Sequence, residues 1–104
     1  MDKKRVIFVI NPIAGGEDKA PFLKKLPNYA QKYGFEYQVM ETTGQGDTET
    51  LAAHIQEYQP EKVVAVGGDG TLMMVAGLVM HTDIAVCVVP YGSANGMATE
   101  LQIP

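Results

Sequence analysis

Apolar runs of strand length alternate with helical patterns along this chain. Four segments are short, apolar or alternating, and bounded by turn residues, and these predict strands: 5–10, 36–41, 63–66 and 84–89. Three segments repeat apolar side chains at helical spacing and predict helices: 21–33, 47–58 and 71–81. A short helix is expected to close the chain. This alternation predicts an α/β fold, a three-layer sandwich with a mostly parallel, Rossmann-like sheet of about four or more strands and helices on both faces.

The ends of the predicted helices carry recognisable signals. Gly34 is expected to end the first helix, because glycine readily takes the left-handed conformation that closes helices. Pro27 interrupts the same pattern, so this helix is either kinked there or begins near that residue. Asp47 is expected to cap the second helix. The third helix is apolar nearly all round and is therefore expected to be covered on several sides.

Length and composition indicate one small globular domain. The chain has 104 residues, and 46% of them are hydrophobic. No charged start followed by a long hydrophobic segment marks a signal peptide or a transmembrane helix, and we expect a cytoplasmic location. The single cysteine, Cys87, lies in an apolar run and is expected to pack in the core rather than to react.

The charge is unevenly distributed. The net charge is −4, which argues against nucleic acid as a partner. Residues 1–34 nevertheless carry seven of the eight basic residues and three acidic ones. This basic end could meet phosphates or an anionic membrane, but Lys24, Lys25 and Lys32 are better explained as the solvated side of a helix.

A carboxylate lies between glycines in the sequence Gly67-Gly68-Asp69-Gly70-Thr71, which follows a predicted buried strand and precedes a predicted helix. Glycine lets a ligand approach the backbone closely, and the start of a helix offers unpaired N–H groups to an anion such as phosphate. Asp69 would repel a bare phosphate, so its presence suggests a metal ion, a general base, or both. The structural alternative is a glycine-rich turn in which Asp69 caps the helix.

Two further loops favour the phosphate interpretation. Residues 11–16 follow the first strand and residues 90–96 follow the fourth, and both are rich in small residues. Because the carboxyl ends of parallel strands share one edge of a sheet, these loops are expected to converge with residues 67–71 on a nucleotide-phosphate site. The spacing fits neither the P-loop nor the dinucleotide-binding glycine motif.

The loops together resemble a known family. The ordered set Asn11-Pro12 with Gly15, Thr42 with Gly46-Asp47, residues 67–71, and Pro90 with Gly92-Ser93 and Asn95 is similar to the catalytic domain of diacylglycerol kinases and related lipid kinases. The resemblance implies that residues 1–104 form the ATP-binding α/β subdomain, akin to those of NAD kinase and phosphofructokinase. It implies Mg²⁺ as the metal and Asp69 as both metal ligand and catalytic residue. It also implies these ATP contacts: Asn11, Pro12, Ile13, Ala14, Gly15, Thr42, Gly67, Gly68, Asp69, Gly70, Thr71, Gly92, Ser93 and Asn95.

The implied activity is transfer of the γ-phosphate of ATP to a lipid hydroxyl, as from diacylglycerol to phosphatidic acid. Sphingosine, another lipid or NAD remain alternative acceptors. Members of the family have a β-rich second subdomain, which is absent from this sequence, so we expect this chain alone to be inactive. We expect it to pair with such a half or to self-associate, and membrane contact, if any, to be peripheral and to come through that missing half.

The sequence departs from the family pattern at three positions. Met73 and Met74 stand where the family usually has an Asn-Glu pair, and Gly96 stands where it usually has Asp. Polar groups are therefore replaced by apolar or absent side chains. An alternative interpretation is a non-catalytic nucleotide-binding or interaction module that has kept the fold and lost kinase activity.

Overall fold

The fold described here is that of a computed structural model, which describes residues 4–11, 20–66 and 69–89. Strands and helices alternate as the sequence predicts, with boundaries within two residues for most elements. The strands are β1 (Lys4–Ile10), β2 (Phe35–Glu41), β3 (Lys62–Val66) and β4 (Ala85–Val89). The helices are α1 (Ala20–Tyr33), α2 (Asp47–Tyr58) and α3 (Asp69–Val79). The short closing helix predicted from the sequence lies outside the described residues.

The four strands form one parallel sheet in the order β2-β1-β3-β4. Strand β1 lies inside the sheet, where Val6 pairs with Tyr37 of β2 on one side and with Lys62 of β3 on the other. The side chains of β1 from Val6 to Ile10 are all buried, which explains why this strand is a continuous apolar run. Strand β2 is an edge strand, and only Phe35 and Met40 of its residues are buried.

Helices cover both faces of the sheet, which confirms the three-layer α/β prediction. On one face, Leu26 and Ala30 of α1 pack against Phe8 and Val64. On the other face, Leu51 of α2 and the α3 residues Val75 and Val79 join a second core. Successive residues of β1 alternate between these two cores, because side chains alternate across a strand.

Helix α1 runs through Pro27 without a break. Of the two predicted arrangements, the later start near Pro27 is therefore wrong. The helix ends at Tyr33, and Gly34 follows with φ 71° while its N–H donates to the Ala30 carbonyl at 2.9 Å. The prediction for Gly34 is confirmed, since this is the left-handed closure that glycine allows.

Helix α3 packs against the sheet and against α2, but part of its surface is left open by the described part of the chain. Thr71, Val75 and Val79 are buried against the sheet, whereas Met73 is 73% exposed and Met80 is 60% exposed. Met80 directly follows the helix, and its N–H continues the helical hydrogen bonding by donating to the Ala76 carbonyl at 3.0 Å, so it lies on the same face as Met73 seven residues earlier. The predicted cover on several sides is therefore confirmed in part: within residues 4–11, 20–66 and 69–89, the sheet and α2 contact this helix, whereas the face with Met73 stays open. No helix in these ranges is long and apolar enough to cross a membrane.

Candidate functional site

A cleft of about 340 Å³ opens at the carboxyl edge of the sheet. It lies where three parallel strands end, because its lining comes from the residues that follow β1 and β2 and from the first turns of α2 and α3. The helix that follows β1 packs on one face of the sheet, and the helix that follows β3 packs on the other face. The chain leaves β1 toward β2 and leaves β3 toward β4, so the order of the strands runs in opposite directions from the gap between β1 and β3. Such a switch point is where open α/β sheets bind ligands. The lining residues are Asn11, Thr42, Thr43, Gly44, Asp47, Gly70, Thr71 and Met74.

Four of the residues predicted as ATP contacts meet in this cleft: Asn11, Thr42, Gly70 and Thr71. Asp69 is the first residue of α3, which places its backbone at the same edge. The remaining predicted contacts lie outside the described residues: Pro12, Ile13, Ala14, Gly15, Gly67, Gly68, Gly92, Ser93 and Asn95.

Backbone hydrogen bonds extend the sheet into the cleft. The Thr42 N–H donates to the Ile10 carbonyl at 2.8 Å, and the Asn11 N–H donates to the Val66 carbonyl at 3.3 Å. The end of β1 is thus joined to the ends of both neighbouring strands. The positions of Asn11 and Thr42 therefore follow directly from the sheet, and rigid elements hold site residues more precisely than free loops do.

The amino terminus of α3 forms another wall. Asp69 and Gly70 begin the helix, and Thr71 is only 6% exposed yet lines the cleft. The first four N–H groups of a helix have no partner within it, and they give this end a partial positive charge. This wall therefore suits an anionic group.

The loop between β2 and α2 corrects one sequence prediction. Gly46, not Asp47, takes the N-cap position of α2, with φ 68°, and no side chain caps this helix. Asp47 is the first helical residue, and its carboxylate reaches back to the loop instead. Its Oδ1 accepts from the Thr43 N–H at 2.8 Å, and its Oδ2 accepts from the Gly44 N–H at 2.9 Å. The cap prediction fails because a left-handed glycine places the aspartate one position too late to reach the N–H groups of the helix.

The hydrogen bonds from the loop favour the ionised form of the Asp47 side chain. The hydrogen bond from the Thr43 N–H, and then that from the Gly44 N–H, hold the pKa of the Asp47 carboxyl below its ordinary value of 3.8. Partial desolvation opposes the shift, and the Thr43 hydroxyl adds to it. The carboxylate is therefore ionised at neutral pH and serves as an acceptor for its own loop.

Sequence reasoning did not include four of the lining residues among the predicted contacts: Thr43, Gly44, Asp47 and Met74. Thr43 and Gly44 lie four and three residues before Asp47, a spacing at which a carboxylate can accept backbone N–H bonds and fix a turn. That spacing could have been used as a signal. Met74 faces the cleft because it lies in the second turn of α3, and its hydrophobicity favoured a core assignment instead.

Two observations bear on the predicted magnesium site. No group of three or more His, Cys, Asp or Glu residues that could hold a metal occurs within residues 4–11, 20–66 and 69–89. In that same part of the chain, Asp47 is the acidic residue lining the cleft, and both of its oxygens already accept hydrogen bonds. Among the described residues, the cleft therefore holds no ready set of metal ligands, and a Mg²⁺ ion there would have to be held largely by phosphate oxygens of the nucleotide.

Comparison with known proteins agrees with this geometry. A family model described as the diacylglycerol kinase catalytic domain matches residues 5–104. A diacylglycerol kinase of Staphylococcus saprophyticus is 31% identical over 107 residues, which cover 98% of this chain and 34% of the relative. A diacylglycerol kinase of Bacillus subtilis is 32% identical over 106 residues, which cover 97% of this chain and 34% of the relative.

A solved structure shows the same fold. The crystal structure of a diacylglycerol kinase from Bacillus anthracis superposes with a TM-score of 0.64 at 24% identity, over 100% of this chain and 39% of that one. The chain spans about a third of the length of the curated relatives it matches.

Proposed function

The chain belongs to the diacylglycerol kinase catalytic domain family, and from this we propose that it supplies the ATP-binding half of a lipid kinase. In the complete enzyme, the oxygen of a lipid hydroxyl would form a bond to the γ-phosphorus of ATP. The bond from that phosphorus to the leaving oxygen of ADP would break, and the hydroxyl proton would pass to a base. Diacylglycerol is the proposed acceptor and phosphatidic acid the product.

The position of the cleft carries this proposal. The cleft lies at the switch point between β1 and β3, where open α/β sheets bind ligands. It also includes the amino terminus of α3, whose unpaired N–H groups favour a phosphate. Asn11 and Thr42 add an amide and a hydroxyl group beside them. Phosphoryl transfer needs mainly positioning and charge stabilisation, which such a wall of dipoles provides.

Specific roles follow for the predicted residues. The N–H groups at the start of α3 would bind phosphate oxygens, and Thr42 and Asn11 would orient the nucleotide. Asp69 would hold Mg²⁺ or accept the hydroxyl proton, because its place at the first position of α3 brings it to the phosphate end of the cleft. When bound, the metal would neutralise charge on the phosphate oxygens.

Catalysis is proposed only for this chain paired with a second, β-rich half. The uncovered face of α3, with Met73 and Met80, supports pairing with a further protein surface. Studied by itself, the chain would expose this face and is expected to self-associate through it. The lipid and any peripheral membrane contact would belong mainly to the second half.

One observation favours a second candidate, a nucleotide-binding module without kinase activity. Met74 lines the cleft with a thioether, and Met73 points largely into solvent. Neither side chain can hold a metal such as Mg²⁺, which prefers oxygen ligands. The module would still bind a nucleotide, and only phosphoryl transfer by a completed protein would separate the two candidates.

Chemical-shift mapping of the isotopically labelled chain with Mg·ATP tests where the nucleotide binds. We expect the amide signals of Asn11, Thr42, Gly70 and Thr71 to shift together and to saturate. The matched control is Gln59 at the opposite edge of the sheet, where its carbonyl accepts from Arg5 at 3.2 Å and 3.3 Å. Shifts confined to that edge, or none at all, would rule out the proposed site.

A further inference from the structure

We propose that Asp47 is a positioning residue for the nucleotide, acting through the loop that it holds rather than by touching the reacting atoms. This inference rests on the proposed function, because it concerns the wall of the same cleft. The loop is residues 42–46, which connect β2 to α2 and contribute Thr42, Thr43 and Gly44 to the lining.

The loop is fixed at its start by the sheet. The Thr42 N–H donates to the Ile10 carbonyl at 2.8 Å, which continues the pairing of β2 with β1 by one residue. Within residues 4–11, 20–66 and 69–89, the hydroxyl of Thr42 has no hydrogen-bond partner. Because Thr42 lines the cleft, its hydroxyl is placed where a ligand could bond to it.

Beyond Thr42 the loop makes no further sheet hydrogen bonds to β1 within the described residues. Gly44 and Gly46 adopt φ values of 93° and 68°, which side-chain-bearing residues rarely take, and glycine also gives the backbone its greatest freedom. The loop therefore needs an external constraint to keep one shape.

Asp47 provides that constraint with both carboxylate oxygens. Oδ1 accepts from the Thr43 N–H at 2.8 Å and lies 3.2 Å from the Thr43 hydroxyl, and Oδ2 accepts from the Gly44 N–H at 2.9 Å. The Thr43 hydroxyl also lies 2.9 Å from the Gln45 carbonyl oxygen and accepts from the Gln45 N–H at 3.2 Å. One side chain thus links two consecutive loop residues, Thr43 and Gly44, to the first turn of α2, and Gln45 is joined to them through the Thr43 hydroxyl.

The role needs a carboxylate and not merely a polar side chain. In Asp47→Asn one of the two oxygens becomes an NH₂ group, which would face the N–H of either Thr43 or Gly44. Two donors would then oppose each other, and one backbone N–H would lose its acceptor. The loop would populate other shapes, and the part of the cleft wall formed by Thr43 and Gly44 would no longer be held in one place.

Glu49 offers a matched control. It is exposed and carries the same charge in the same first turn of α2, and it lies outside the cleft lining. Glu49→Gln therefore removes the same favourable interaction with the positive end of the helix as Asp47→Asn does. A difference between the two variants isolates the contribution of the loop.

Two readouts test the inference on the wild type, Asp47→Asn and Glu49→Gln. Calorimetric titration with Mg·ATP gives affinity, and amide hydrogen exchange without ligand gives the protection of Thr43 and Gly44. We expect Asp47→Asn to lose affinity by about tenfold and to lose protection at these two amides. We expect Glu49→Gln to match the wild type in both, and all three proteins to show the same secondary structure by circular dichroism.

The outcomes separate the two proposals. If the wild type binds Mg·ATP and Asp47→Asn binds it equally tightly, the positioning role is wrong and the proposed function stands. If both variants lose affinity alike, the effect is one of helix charge, which also contradicts the role. If the folded wild type fails to bind, the proposed function fails and this inference fails with it. Loss of the folded structure in Asp47→Asn alone would show a structural role and overturn the inference.

Discussion

The backbone N–H of Thr42 lies 2.8 Å from the carbonyl oxygen of Ile10, which binds the end of edge strand β2 to the end of central strand β1. This hydrogen bond fixes the Thr42 backbone independently of its side chain. The hydroxyl group can therefore serve a ligand without carrying the local fold.

Thr42→Val tests this division between backbone and side chain. Valine keeps the shape of threonine and replaces the hydroxyl by a methyl group, so we expect Mg·ATP affinity to fall by about threefold to tenfold, the value of one hydrogen bond. Stability should be nearly unchanged, because the bond to Ile10 remains. Calorimetric titration measures the affinity, and Thr48→Val, at an exposed position of α2, serves as the control. Equal affinity in Thr42→Val and the wild type would remove Thr42 from the site.

The elements of the fold were predictable, but their order in the sheet was not. A buried strand such as β1 shows a continuous apolar run, and Gly34 marks a helix end through its own backbone preference. The order β2-β1-β3-β4 depends on which strands pair, and no local pattern encodes that choice. Convergence of the loops could still be predicted, because it requires only that the strands be parallel.

Part of the site could be predicted because it depends only on where strands end and helices begin. Asn11, Thr42, Gly70 and Thr71 lie directly next to strand ends or a helix start, so the topology alone brings them together. The contribution of Asp47 depends on the left-handed conformation of Gly46, which decides where its carboxylate points. A conformation of this kind is allowed by the sequence but not dictated by it.

The pH dependence of the Asp47 contacts has a definite sign. Hydrogen bonds from the Thr43 and Gly44 N–H groups lower the pKa of Asp47 in the folded chain below the ordinary 3.8. The stabilisation is thus fully present above pH 3.8 and is lost as the pH falls through the folded pKa. Titration of the Asp47 carboxyl carbon by NMR should give a midpoint below 3.8, with the Thr43 and Gly44 amides following it. A midpoint at or above 3.8 would contradict the hydrogen bonding described here.

Pro27 should limit the stability of α1. Its ring lacks an N–H, so the Leu23 carbonyl loses its helical partner in the middle of the helix. Pro27→Ala should therefore raise the free energy of unfolding by about 1–2 kcal/mol, the gain in the helix being offset in part by a more flexible unfolded chain. Urea denaturation measures the change. Gln31→Ala, at an exposed position of the same helix, should change it by less than about 0.5 kcal/mol. A lower stability for Pro27→Ala would show that the helix depends on the proline.

The exposed methionines of α3 should control association. Met73 and Met80 share one face of the helix and are 73% and 60% exposed. We expect the wild-type chain to self-associate at high concentration in sedimentation experiments, and the double variant Met73→Gln, Met80→Gln to remain monomeric with similar stability. Gln56→Ala and Glu57→Gln on exposed positions of α2 provide the control. A wild-type chain that stays monomeric would contradict an interaction role for this face.

Nucleotide binding by this chain is the central claim, and calorimetric titration with Mg·ATP tests it most directly. We expect saturable binding with one site per chain, weakened by Asp69→Asn and unaffected by Asp83→Asn, which changes an exposed aspartate before β4. No binding by a chain with intact secondary structure would contradict the claim that this cleft is a competent nucleotide site. Equal binding by Asp69→Asn and the wild type would remove Asp69 from it.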